Sequence, residues 1–148
     1  KWEPPKDGGG DPELADSDDG GSPGLSTRSI PTPGAAVATR MQPNHPLNVG
    51  LDASPAVLVE GSLILKGTGD PRQDVLTVQT EQPVVAGFAF PEAEERLAGS
   101  LLVGAEARGK GSVILFAQSP AFRLFWRATT PIFLNAVLYG PSLGLGER

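Results

Sequence analysis

The sequence predicts an α/β domain: a mixed sheet with a C-terminal β-hairpin and a buried C-terminal helix. Three observations carry that reading. Residues 108–141, RGKGSVILFAQSPAFRLFWRATTPIFLNAVLYGP, join a glycine turn, an apolar strand, an aromatic–arginine cluster and an apolar helix in one run. VLTVQT (75–80) alternates apolar and polar residues at the period of a half-buried strand. PEAEERLAG (91–99) carries the start and stop signals of a short helix.

Residues 1–29, opening KWEPPKDGGGDPELADSDDGG, are acidic and rich in glycine and proline. They hold too little apolar surface to offset chain entropy and read as a disordered linker or loop. Trp2 is the one aromatic there. The folded domain is expected over 30–141. Pro31, Pro33 and Gly34 make an opening turn, and Ala36–Met41 a strand. QPNHPLNVGL (42–51) is a proline-punctuated loop. Val57–Glu60 and Leu63–Lys66 are short strand candidates, followed by a turn at GTGDPRQD (67–74) initiated by Asp70-Pro71. PVVAGFAF (83–90) is continuously apolar and reads as an inner strand. Pro91 opens the short helix, Glu92 and Glu94 suit its N-terminal dipole, and Gly99 stops it. SLLVGAEA (100–107) and SVILFAQ (112–118) are two strands joined by RGKG as a hairpin, with Gly109 and Gly111 as turn residues. A helical region runs from Ser119-Pro120 to Tyr139, with Pro131 restarting it and Thr130 as a new N-cap. Ile132, Phe133, Ala136, Val137 and Tyr139 give it a broad apolar face, expected to be buried. Gly140-Pro141 ends it, and 142–148 form a frayed tail.

Composition narrows the chemistry. The chain has 148 residues, a net charge of −5, no cysteine and one histidine, His45. One domain fits that length. The negative balance argues against a nucleic-acid partner. The absence of cysteine excludes disulfides, a thiolate nucleophile and a Cys-ligated zinc site. Arg123, Arg127 and Asn135 interrupt the longest apolar stretches, so no membrane span is expected. No signal peptide is visible, and the chain opens on Lys1, which suggests a fragment or processed product.

Gly104–Gly111 (GAEARGKG) comes close to a phosphate-binding loop, but glycine stands where a Ser or Thr would ligate Mg²⁺, and a strand follows instead of a helix. It reads as a hairpin turn. His45 reads as a loop histidine that bonds backbone, since it lacks partners for metal or base chemistry. Arg123 and Arg127, four apart, share a face if helical. They suit either clamping of a carboxylate or phosphate, or pairing and snorkelling over Phe122 and Trp126. Glu92, Glu94 and Glu95 read as a solvated helix face. Structural roles are expected for Gly109, Gly111, Phe122, Trp126, Phe133 and Asn135. Neither a catalytic residue nor a metal ligand is assigned.

HPLNVG, PVVAGF and the run from ERLAGSLLVG to LNAVLYGP together resemble the C-terminal part of bacterial M14-family zinc carboxypeptidases. There a domain similar to class I glutamine amidotransferases follows the peptidase domain. The matching elements are Gly109–Gly111, Val113–Phe116, Pro120 to Arg123, Trp126-Arg127 and Leu134–Ala136, within roughly 30–141. The resemblance implies a partial, flavodoxin-like accessory domain in a periplasmic or extracellular protein, with the peptidase domain of the same chain as partner. Zinc would lie in that parent domain, because the family's His-x-x-Glu pair is absent here, as is the amidotransferase cysteine. The resemblance also implies that the missing first half of the domain leaves an apolar edge or face uncovered. The alternative is a free-standing carbohydrate- or peptide-binding module.

Overall fold

The computed structural model describes residues 30–124 and 126–143. The linker expected over 1–29, the part of the tail at 144–148, and Phe125 lie outside the described residues. The described chain mixes strand and helix, with two antiparallel sheets and a C-terminal helix. Strands β1 (Thr32–Val37), β3 (Val57–Gly61) and β5 (Val84–Phe88) make one sheet in the order β3-β1-β5. Strands β2 (Thr39–Met41), β4 (Asp74–Val78), β6 (Leu101–Arg108) and β7 (Gly111–Phe116) make the other, in the order β2-β4-β6-β7.

Every strand pair in these two sheets is antiparallel, so the mixed sheet expected from the sequence is not what forms. The connections explain this. Among the described residues only one α-helix, α1 (Pro91–Leu97), lies between strands, whereas the crossover that joins parallel strands is usually an α-helix. β1 and β2 are separated by Ala38 alone and pass the chain from one sheet to the other. The Ala38 N–H donates to the Pro83 carbonyl (2.7 Å), and its own carbonyl accepts from Gln79 N–H (3.0 Å).

The two sheets share one core. Val37, Val57 and Val59 from the first meet Val75, Leu76, Val78, Leu102 and Val103 from the second, with Leu47, Leu97 and Ile132 closing the ends. Leu47, Leu76, Leu97 and Ile132 are its largest fully buried side chains. α1 forms as expected, with Pro91 in its first turn, Glu92 and Glu94 near the N-terminus and Arg96 in the last turn. Ala93 and Leu97 are its buried residues, and Gly99 leaves the helix at φ +71°.

The β6–β7 hairpin also forms as expected. Arg108 pairs with Gly111 across a two-residue turn, and Gly109 takes φ +60°, a conformation that favours glycine. At Gly111 an added Cβ would approach only the Arg108 carbonyl, at an ordinary 3.9 Å, so no close approach calls for glycine there.

Other expectations are corrected. PVVAGFAF is an edge strand, not an inner one: β5 bonds β1 alone, and Val85 and Phe88 are more than half exposed. Gly87 (φ +85°) permits the close approach, because a Cβ there would lie 2.5 Å from the Gly34 carbonyl oxygen. Leu63–Lys66 forms no strand and makes a single bridge, Leu65 to Leu101. The region after Ser119 holds one 3₁₀ turn, Phe122–Leu124, broken by Arg123 at φ 47°, before α2 (Thr130–Leu143) begins. The restart at Thr130 is as expected. The end is not: α2 passes through Gly140 and Pro141 to Leu143, so Ser142 and Leu143 belong to the helix. Proline is tolerated there because only the last turn loses a hydrogen bond.

The C-terminal helix is not buried as expected. Ile132 and Gly140 are its buried residues, whereas Leu134, Val137 and Leu138 are 54%, 61% and 69% exposed. Its inner side packs on β7 and on the 3₁₀ turn Pro46–Asn48. Its outer side is covered by no described element, and none of its 14 residues is charged.

Candidate binding cleft

The Pro46–Asn48 turn is the first wall of the site. The His45 Nδ1 accepts the Leu47 N–H (3.2 Å), and the ring also bonds the Arg72 backbone. The Asn48 amide donates to the carbonyls of Gln42 (2.8 Å) and Val75 (3.1 Å). Asn135 of α2 donates to the carbonyls of Leu47 (3.0 Å) and Val49 (2.8 Å), which fixes the helix to this loop. The structural role expected of Asn135 is thereby located.

The turn 67–74 is the second wall. The Asp74 carboxylate accepts from the Thr68 N–H and hydroxyl and from the Gly69 N–H. Asp70 accepts from the Arg72 N–H (2.9 Å) and pairs with its guanidinium (2.9 Å). The Arg72 bonds hold the Asp70 carboxyl below its ordinary pKa. The last residues of β6 form the floor, with Ser112 and Leu143 at the side. Together these segments enclose an open cleft of about 490 Å³. Its polar lining combines the carboxamides of Gln42, Asn44 and Gln73 with the charged Asp70, Arg72 and Glu106, besides His45 and Ser112.

This cleft has the size of a ligand site but no reactive constellation. His45 is buried, and desolvation pushes its pKa down, against the smaller opposing effect of the Arg72 backbone bond. A neutral imidazole whose two nitrogens both face backbone partners has no lone pair left to take a proton from a substrate. The Ser112 hydroxyl donates to the Gly140 carbonyl (2.7 Å). Among the described residues, no three His, Asp or Glu side chains are grouped to hold a metal, and no helix is long and apolar enough to cross a membrane.

The residues singled out by sequence fall elsewhere. Arg123 and Arg127 are exposed and lie on a broken 3₁₀ turn and an irregular segment, so the shared helical face does not exist. Neither makes an ion pair with another described residue, and Arg123 stacks on Phe122, with its guanidinium 5.2 Å from the ring centre. Trp126 is half-buried, its indole N–H donating to the Ala56 carbonyl (3.3 Å), and Phe122 is half-buried. Phe133 is 39% exposed and meets Phe116 edge-on at 6.0 Å, so Ile132 takes the core position expected of it. Lys110 sits in a turn followed by a strand, which accords with the hairpin reading of GAEARGKG.

The cleft itself escaped sequence reasoning because four separated segments build it. The available signal was HPLN beside DPRQD, two proline turns rich in amide and carboxyl groups. No family model, no curated protein and no solved structure matches this chain.

Proposed function

We propose that this chain is a non-catalytic accessory module of a zinc carboxypeptidase of the M14 type, docked on the peptidase domain of the same parent chain. Zinc and the cleavage chemistry belong to that domain, and the setting is periplasmic or extracellular. The observation that carries the docking is the outer side of α2. Leu134, Val137 and Leu138 stand exposed at helical spacing on a helix without charge. A helix apolar on both sides requires cover on both. The ordered likeness of residues 108–141 to the family supplies the choice of partner. The amidotransferase-like part of the reading receives less support, because such folds are built on parallel strands with crossover helices and the pairings here are antiparallel.

The test is to read the coding sequence upstream of Lys1 and to express both parts. A preceding domain bearing His-x-x-Glu and a later histidine, which binds this chain and loses it on Val137→Glu, is the expected result. An upstream sequence without that domain sinks the proposal. A second reading, a carbohydrate- or peptide-binding module, is favoured by the amide-lined cleft.

A further inference from the structure

The last residues of β6 outrun the strand beside them. β4 pairs with β6 only from Gly104 back to Leu101, whereas β7 pairs with it as far as Arg108. Two bonds fix which way the backbone faces. The Ala105 N–H donates to the Gln73 carbonyl on the β4 side (2.9 Å), and the Leu102 carbonyl accepts from Ala117 on the β7 side (2.9 Å). Strand alternation then turns Gly104, Glu106 and Arg108 toward β7, and Ala105 and Ala107 toward the other edge. Beyond Gln73 that edge has no strand. No described group bonds the Ala105 carbonyl or either polar group of Ala107, and Ala107 is exposed. This open edge is the floor of the cleft.

We propose that the cleft binds an extended peptide segment, which adds to the open edge of β6 as a short antiparallel or parallel strand. The occupant follows from the chemistry of the floor. A carbonyl and an N–H spaced two residues apart on a strand edge match the backbone of another strand. The walls suit the same ligand. Gln42, Asn44 and Gln73 line the cleft, and each carboxamide can offer a donor and an acceptor to a peptide. A sugar site commonly offers the flat face of a Trp, Tyr or Phe, and none of these lines this cleft. From Ala105 to Arg108 the edge spans about 10 Å, enough for three or four peptide residues. The inference rests on the cleft alone and stands whether or not a peptidase domain accompanies the chain. It gives the second reading above a ligand class and a binding mode.

The probe is the blocked peptide acetyl-Thr-Val-Thr-Val-Thr-amide, titrated into the whole chain and followed by amide NMR shifts. The expected result is saturable binding that shifts Ala105, Ala107 and the side-chain amides of Gln42, Asn44 and Gln73. Peptides N-methylated at alternate amides, in both phases, are the control. The phase that removes the paired N–H groups weakens binding about tenfold, as losing one or two hydrogen bonds implies. Ala107→Pro deletes the open N–H without touching the β7 ladder, and it weakens binding by a similar factor at unchanged thermal stability. If that variant unfolds, the N-methyl series on the natural sequence decides alone. Absence of binding at millimolar peptide, equal binding by all N-methylated forms, or shifts confined to α2 overturn the proposal. Shifts of the same groups with a neutral oligosaccharide but not with peptide overturn it in favour of a sugar site.

Discussion

The two ends of β6 differ as much as any two regions of the molecule. Leu101 to Ala105 are buried, and β4 flanks them as far as Gly104 on the edge opposite β7. Glu106 to Arg108 are partly or fully exposed, bonded along one edge only. The strand does not change character in its hydrogen bonds to β7, which run unbroken to the turn. What changes is the neighbour. Folding meets the edge groups of the first half as far as the Ala105 N–H, and from the Ala105 carbonyl onward it leaves backbone groups that only water or a ligand can meet. Stability and recognition are thus laid end to end on one strand.

Three substitutions or titrations sharpen that contrast. The largest effect is expected inside. Leu102→Ala removes a buried side chain beside Val103 and Ala117 and should cost about 2–5 kcal/mol in denaturant unfolding. A cost comparable to that of Ala107→Pro would erase the distinction between the halves. Asn135→Ala comes next. It leaves the Leu47 and Val49 carbonyls without their shared donor and should cost about 1–3 kcal/mol, less if water replaces it at the exposed Val49. An unchanged unfolding midpoint would show that α2 does not hold the cleft wall.

The smallest effect is pH-dependent. Burial holds His45 below its ordinary pKa of 6.5, so below pH 6.5 the unfolded chain takes up a proton that the folded chain refuses. Its contribution to stability is therefore complete above pH 6.5 and declines as pH falls through the window beneath. His45→Gln should flatten that limb of the profile. Asp70 acts separately and lower, its contribution present above about pH 3.8 and lost as pH falls further. A His45→Gln profile that overlays the natural one would remove His45 from the account.

The parts of this fold that were legible are those written in local rules. The RGKG turn needs a glycine at positive φ, and Gly109 supplies it. The helix over 91–97 announces itself by Pro91, its acidic first turn and Gly99. His45 reads correctly as a backbone-bonded loop residue. What was not legible depends on neighbours distant in sequence. PVVAGFAF is apolar enough for an inner strand, yet only β1 reaches it. The apolar periodicity of α2 implies burial, but the described chain covers a single side. The four-residue spacing of Arg123 and Arg127 has meaning only on a helix, and Arg123 at φ 47° prevents one. The cleft floor was invisible because it consists of backbone, and a sequence does not show where a neighbouring strand ends.

The two bonds from Asn135 reach back 88 and 86 residues, and the Trp126 indole reaches back 70. Such closures set the order of events as the chain is made. The loop after His45 leaves the ribosome long before its partner helix exists. Until Asn135 arrives, the Leu47 and Val49 carbonyls and the core position of Ile132 stay unfilled. Contacts of this span slow folding, because chain entropy is lost before they are gained. A translation arrest ahead of Thr130 would therefore yield a chain whose cleft wall lacks the two Asn135 bonds.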